Sequence, residues 1–373
     1  MYFNEEPKKK KEDLFNREEE LNRLLNAIER GDKLILILGQ RRIGKTSLLL
    51  VALNICNYPF MVIDGRRVEE NYSRLRLYEL IAKGIEDVIH RTSHYRSLVS
   101  LLKSTRGVNV KLTAGIISVS LKWRGSDRAY LSDILESLDK WCRNRKTKII
   151  FSVDEAQCLR GPLSREFTLA LAYAYDNLDN IVVVLTGSEV GLLYDIVGVD
   201  NPKHPLYGRT RTEITLRKFT REESRIFLKE GFKQIGLKVG EDVIDYAISK
   251  LNGIPGWLTA FGAKAWKIGK AAKEHVDQVF LEAVRLTKQE IEKLLRKRAM
   301  AYQRYRLALK AIASRYNTWS KVKEYIERYE GRTIPDNRLY NIILTLMKTG
   351  IIVKEDNKYR IVDEITREAI IRL

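Results

Sequence analysis

The run KLILILGQRRIGKTSLLL, residues 33–50, decides how this chain is read. Residues 33–38 are almost wholly aliphatic and read as a buried strand, and SLLLVALNI continues beyond the loop as a helix. Between them Gly39-Gln40-Arg41-Arg42-Ile43-Gly44-Lys45-Thr46 completes the pattern G-x-x-x-x-G-K-[ST] in the strand–loop–helix setting its chemistry requires. Glycines let the backbone wrap tightly, so that successive N–H groups, Ile43 and Ser47 included, converge on phosphate. The helix that follows adds its positive N-terminal end. Lys45 is placed to reach the β- and γ-phosphates, and the Thr46 hydroxyl to ligate Mg²⁺. Arg41 and Arg42 are not required by that chemistry and are expected to reach outward, to a lid, a neighbour or the γ-phosphate.

The partner of this loop is IIFSVDEAQ, residues 149–157. Asp154 ends an apolar run, where a carboxylate can hold Mg²⁺ and its waters. Glu155 follows directly as the candidate general base. Further buried strands are read at 59–65, 180–188 and 212–216, with helical patterns between them such as 131–144. Strands alternating with helices predict an α/β domain built on a parallel five-stranded sheet. The 180–188 strand is expected to lie between the loop strand and the Asp-Glu strand, placing Thr186, Gly187 and Ser188 near the γ-phosphate or the attacking water; an ordinary polar strand end is the alternative.

Residues 106–124 alternate apolar and polar side chains about Ala114-Gly115, which predicts an inserted β-hairpin. After 217 the strands stop. Thr220 with Glu223 suits a capping box, and amphipathic helices follow to about 285. From 286 to 373, three helical stretches precede a hairpin with an Asp-Asn turn, the order of a winged helix. The expected division is therefore 1–216, 217–285 and 286–373.

With 373 residues, 45% hydrophobic and 31% charged, the chain is of globular composition and long enough for two or three domains. No stretch is long and apolar enough to span a bilayer, and the first residues carry no apolar signal core, so a cytoplasmic location is expected. Three scattered cysteines and four isolated histidines speak against a zinc site or a disulfide framework. The net charge of +19 favours a polyanion partner or reflects a lysine-rich thermophile surface. Its location separates the two. Lys293 to Lys323 contains no acidic residue, carries Arg296, Arg298, Arg304, Arg306, Lys310, Arg315 and Lys321 among its cations, and interleaves Tyr302, Tyr305, Tyr316 and Trp319. A mixed-sign surface would not do this, so DNA contact through this run and the winged helix is expected. The third helix of the module, near 334–350, shows few cations, so backbone contact is easier to defend than base reading, with Lys354, Lys358 and Arg360 of the wing suited to phosphate. A protein-binding or autoinhibitory winged helix is the alternative.

The segments LFNREEELNRL (14–24), LGQRRIGKTSLL (38–49), FSVDEAQ (151–157), LTGSEVGLL (185–193), HPLYGRT (204–210) and LNGIPGWL (251–258) together resemble the archaeal ATPase family of the STAND class, within the AAA+ superfamily. The phosphate loop alone is generic, whereas PLYGR followed by a late GIP is far more specific. The resemblance implies a P-loop domain with a helical lid, ATP or ADP with Mg²⁺ as ligands, and adenine rather than guanine. It implies that Phe15, Asn16 and Arg17 line the base, although Asn16 also suits a helix N-cap. It makes Arg209 a candidate arginine finger, in cis or in trans, or else a surface arginine of a basic loop. Gly253 and Pro255 would bring lid backbone to the adenine, or simply end a helix. The helix after Pro255 has Trp257 where many AAA+ proteins carry a second sensor arginine nearby, which suits the STAND class and puts ring formation in doubt. Lys45, Glu155, Ser188 and Arg209 are thus the expected catalytic set. Three functions remain open: an ATP-dependent switch, a DNA-binding protein whose nucleotide is structural, and a scaffold that self-associates through the hairpin.

Overall fold

The computed structural model describes residues 1–69, 72–93, 95–113 and 116–373. The parallel strands β1 (Leu34–Leu38), β2 (Phe60–Asp64), β5 (Ile149–Asp154), β6 (Ile181–Gly187) and β7 (Thr212–Thr215) form one sheet in the order β2-β5-β6-β1-β7. β3 (Val108–Thr113) and β4 (Ile116–Leu121) form the inserted antiparallel hairpin. β6 lies between β5 and β1, as the sequence predicts, with Val153 beside Leu185 and Leu38 beside Gly187. Register therefore brings the last residues of β1, β5 and β6 to one level, and Asp64 of β2 stands beside Asp154. Central strands buried on both faces carry unbroken aliphatic runs, which is why LILIL and IVVVL show no alternation.

Helices cover both faces. α1 (Glu18–Arg30) and α2 (Lys45–Ile55) pack on one side through Leu21, Leu24, Ile28, Leu48 and Leu49. The short α3 (Arg66–Glu69), α4 (Arg74–Arg91), α5 (Tyr95–Ser104), α6 (Leu131–Asn144) and α7 (Ser164–Asn177) cover the other side, and α8 (Val190–Val197) follows β6. The hairpin turns Val108, Val110, Ile117, Val119 and Leu121 into this second core, against α4 and α5. Most of its apolar face is thus covered within the chain, while Leu112 toward its tip stays 61% exposed. The Ala114-Gly115 turn lies outside the described residues.

A second body of helices follows: α9 (Arg221–Gln234), α10 (Glu241–Leu251), α11 (Pro255–Ile268) and α12 (Lys273–Arg296). α9 opens with the capping box of Thr220 and Glu223. The winged helix comprises α13 (Tyr302–Ala313), α14 (Trp319–Glu330), α15 (Asp336–Lys348), the strands β8 (Ile352–Glu355) and β9 (Lys358–Ile361), and α16 (Glu364–Ile371). Asp356 and Asn357 hold φ of 48° and 59° at the turn of its wing, the left-handed pair a two-residue hairpin demands. The expected boundary at 285/286 falls inside α12, whose apolar periodicity runs on without a break. Lid and winged helix share one apolar core, and α16, which the sequence reading left out, packs on α12.

Several contacts bind this body to the sheet domain, two of them away from the phosphate loop. The N-terminal segment crosses between them: the buried Phe3 ring fills the space beside Gly231 of α9 and Gly262 of α11, while the Lys8 amide donates to Ser47 Oγ of α2. On another side α15 meets α8. A Cβ on Gly191 would stand 2.6 Å from the Lys348 Cα, so only glycine admits this approach, and Lys348 Nζ reaches Asp195 at 2.6 Å. Among the described residues no helix is long and apolar enough to cross a membrane.

Candidate active site

Gly39 and Gly44 hold φ of 144° and 103°, and between them the loop curls so that Lys45 Nζ donates to Gly39 O (3.0 Å) and Gln40 O (2.9 Å). The Lys45 ammonium is buried and lies 3.9 Å from Glu155 Oε1. Burial lowers its pKa, and Glu155 and Asp154 oppose that shift. Thr46 Oγ1 donates to Asp154 Oδ2 at 2.9 Å, and Thr186 Oγ1 donates to Asp154 Oδ1 at 2.5 Å. Burial, reinforced by the neighbouring Glu155 charge, raises the Asp154 pKa. A hydroxyl and a carboxylate that already meet are a hard oxygen pair suited to Mg²⁺.

Glu155 has a left-handed backbone (φ 51°), which turns its carboxylate back over the strand ends. Its amide donates to Thr186 Oγ1 at 3.0 Å. Its Oε2 accepts from Ser188 Oγ (2.6 Å), from the Ser188 amide (3.2 Å) and from Gln157 Nε2. Gln157 Nε2 also donates to Ser188 Oγ at 3.1 Å, and Gln157 Oε1 is buried without a partner. Burial alone would raise the Glu155 pKa, yet Lys45, Ser188, Gln157 and Arg41 outweigh it and hold the carboxyl below its usual value. The group is therefore ionised at neutral pH, as a general base must be.

Arg41 and Arg42 point to the helical body. Arg41 Nη2 meets Glu189 Oε1, and its Nη1 meets Glu290 Oε2 of α12, both at 3.1 Å. Arg42 lies over the Trp257 ring, 4.0 Å from its centroid, and its carbonyl accepts from the Gly256 amide at 3.0 Å. Pro255, at the first position of α11, stands at this loop–lid junction. The Ile43 side chain is buried in the core with α1 and α2, so only its backbone is left for phosphate. Lys293 and Lys297, one and two turns beyond Glu290, both pair with Glu69 of α3.

Not every expected site residue joins this cluster. Phe15 packs edge-on against Tyr2, Phe219 and Phe227 in the lid core. Arg17 is buried, lies over Phe219 and donates to the Arg217 carbonyl at 2.6 Å. Asn16 is left-handed (φ 50°) and does not cap α1; Arg17 takes the N-cap position with no side-chain cap bond. The three residues act here as a seam between α1 and the lid. Arg209 stands at the far end of the sheet, just before β7 begins. It forms a two-pronged pair with Asp176 (2.9 and 2.5 Å) and bonds the Pro205 carbonyl. In this structure its partners are Asp176 and Pro205 and not the Lys45 cluster of its own chain.

The acid-free run 293–323 is not acid-free in space. Lys293 and Lys297 pair with Glu69, Arg304 with Glu330, and Lys323 with Asp336. Arg306 donates to the Leu373 carbonyl, Tyr305 is buried, and Trp319 packs on the core. The sequence reading also missed Gln157, Glu189 and Arg66. Gln157 was signalled by its place in DEAQ. Arg66, the first residue of α3, holds Asp64 at the end of β2 bidentately (2.9 Å each) and comes 3.9 Å from Asp154 Oδ2.

Residues 14–261 match the family described as an ATPase domain predominantly from Archaea, and residues 299–362 match the C-terminal winged helix-turn-helix domain of MCM proteins. Among solved structures, the chain is similar to the Walker-type ATPase paby2304 of Pyrococcus abyssi, with 34% identity, all of each chain covered and a TM-score of 0.80. It shares its fold with the ORC2 protein of Aeropyrum pernix, solved with ADPNP and ADP, at 14% identity, 100% and 96% coverage and a TM-score of 0.60. No curated protein matches the sequence. The fold is thus AAA+ in type, with a C-terminal winged helix.

Proposed function

Because the chain belongs to the family of ATPase domains found predominantly in Archaea, we propose that it is a Mg²⁺-dependent ATP switch of the STAND class that hydrolyses slowly and passes its nucleotide state to the winged helix. The observation that carries this reading is the double engagement of Arg41. One guanidinium in the phosphate loop joins Glu189, next to the Ser188 that holds the base, to Glu290 of the helix that leads into the winged helix. Any ligand that moves the loop changes this bridge, and a two-state lid needs such a differential contact.

The chemistry assigned to each residue follows from its position. Lys45 now bonds two loop carbonyls; triphosphate oxygens would take their place. Thr46 and Asp154 would hold Mg²⁺, which supplies charge neutralisation between the phosphates. The backbone from Gly39 to Ser47 would cradle the phosphates. Glu155 would orient and deprotonate the attacking water, with Ser188 and Gln157 fixing its carboxylate. Phe15, Asn16, Arg17 and Pro255 would border the base from the lid side. Arg209 would serve as the arginine finger, in cis after a rearrangement or in trans at the site of a second copy. Slow turnover follows from a base already engaged by Ser188 and Gln157.

The winged helix would deliver the output to DNA or to a protein partner. A DNA-binding protein with structural nucleotide is the second reading, favoured by the wing cations Lys354 and Lys358, which form no ion pair among the described residues, whereas Arg360 pairs with Glu355. The test is steady-state ATPase and nucleotide-dependent DNA binding in the wild type and in Glu155→Gln. The switch reading requires lost hydrolysis in the variant and DNA affinity that differs between ATP and ADP. Equal DNA affinity in both nucleotides would select the second reading.

A further inference from the structure

We propose that the outward face of α14, together with Tyr316, is a docking surface for single-stranded nucleic acid. This rests on the nucleic-acid reading of the winged helix and names the face and the form of the ligand.

Val322 and Ile326 are buried and fix which side of α14 faces the core. Lys321, Tyr325, Arg328 and Tyr329 run along one flank of α14 beside that buried stripe, with Lys321, Arg328 and Tyr329 exposed. The rings form a row. Tyr316 and Tyr325 have centroids 5.4 Å apart, and Tyr325 and Tyr329 have centroids 4.9 Å apart. The two ends of the row are open to water, Tyr316 at 43% and Tyr329 at 64% exposure. Tyr325, in the middle of the row, packs partly on the core, whereas the rings of Tyr316 and Tyr329 at its ends are left exposed.

The cations around the row differ from those elsewhere in the module. Arg304, Arg332 and Lys323 are neutralised by Glu330 and Asp336. Lys310, Arg315, Lys321 and Arg328 form no ion pair among the described residues. Lys310 lies beside Tyr329 with Arg306 and Lys288 nearby, so positive charge continues along one side of the row. Glu324 lies between Lys321 and Arg328 on the same exposed side of α14, within neither's ion-pair distance. Lys310, Arg315, Lys321 and Arg328 are thus left for another polyanion.

Exposed rings alternating with unpaired cations suit a flexible strand whose bases can stack on the rings while its phosphates meet the cations. A duplex offers its bases only at groove edges and cannot stack on such a row without being opened. The face also lies apart from the docked end of α15, where Lys348 is engaged by Asp195.

The test is fluorescence anisotropy of the full chain with a labelled oligothymidylate and with a mixed-sequence duplex, across a salt series. Expected are tighter binding of the single strand, a loss of roughly 5- to 150-fold in Tyr329→Ala and in Tyr316→Ala, and retention in Tyr329→Phe. Lys321→Glu should weaken binding and flatten the salt dependence. Arg338→Glu, on the exposed start of α15, reports on ordinary duplex contact. If the duplex binds and responds to Arg338→Glu while the α14 variants match the wild type, this proposal fails and the nucleic-acid reading stands. If neither probe binds at low salt, both fail. Competition by polyglutamate as strong as by oligothymidylate would overturn the stacking role and mark the face as an acidic-protein surface.

Discussion

The Arg41 guanidinium and the Glu290 carboxylate meet at 3.1 Å across the boundary between phosphate loop and helical body, with Arg41 at 47% and Glu290 at 37% exposure. A pair this exposed is screened, and its contribution is about 0.2–1 kcal/mol. Glu290→Gln is therefore expected to speed nucleotide release modestly, by roughly 1.5- to 5-fold, without altering the fold. Stopped-flow release of a fluorescent ADP analogue checks this, and an unchanged release rate would separate Arg41 from lid motion.

Ser188 and Gln157 hydrogen-bond the ionised form of Glu155, and bonds to a charged form lower its pKa. Removing one must raise it. Because a general base works only above its pKa, Ser188→Ala should shift the acid limb of the single-turnover rate profile to higher pH. Glu155→Gln should instead lose about 10²- to 10⁴-fold in rate while ATP affinity is retained. A Ser188→Ala profile that overlays the wild type would leave Ser188 without this positioning role.

Gly191 lies in a helix, where alanine is normally favoured by about 1 kcal/mol. The close approach of Lys348 predicts the reverse sign, since the added Cβ would fall 2.6 Å from backbone. Gly191→Ala is expected to lift α15 from α8 and break the Lys348–Asp195 pair. Small-angle scattering should show a larger radius of gyration, with ATP binding intact. A more stable protein of unchanged radius would show that the contact yields without cost.

Lys8 donates to the carbonyls of Tyr2 and Asn4 at 2.9 and 2.5 Å, and burial lowers its pKa to about 8. Between that value and its ordinary one the unfolded chain binds more protons than the folded one, so stability rises with pH across this window. The penalty is complete below pH 8 and relieved toward 10.5. The melting temperature of wild type minus that of Lys8→Met should therefore increase from pH 7 to pH 10. A flat difference would mean that the ammonium is solvated.

What the sequence disclosed was whatever is written contiguously. Gly39 to Thr46 and Asp154-Glu155 each place their chemistry within one strand end and the turn beyond it, so local pattern sufficed. The insertion of β6 between β1 and β5 followed from the strand order usual in such sheets, and it carried Thr186-Gly187-Ser188 to the site. Contacts across long separations were illegible. Nothing in EIEKLL foretells that Glu290 meets Arg41, and the apparent lack of acid in 293–323 concealed Glu69, which lies on a different element altogether. Arg17 looked like a ligand because it sits in a motif, yet its burial against Phe219 and the Arg217 carbonyl was settled by residues some two hundred positions away. The boundary at 285 failed for a simpler reason: an amphipathic helix that changes partners midway need not change its pattern.

The strand that carries the phosphate loop is emptied of local partners. β1 pairs only with β6 and β7, Leu34 beside Val183 and Ile35 beside Thr212. A ribosome making this chain finishes the nucleotide loop early and then synthesises most of the sheet domain before either neighbour exists, an interval on the order of 10 s or more at ordinary elongation rates. During that time LILIL is an aliphatic strand with two open edges. The nascent chain thus passes through a defined window of vulnerability to aggregation, closed by the emergence of residues 181–215, and a chaperone that shields β1 would have its task end there.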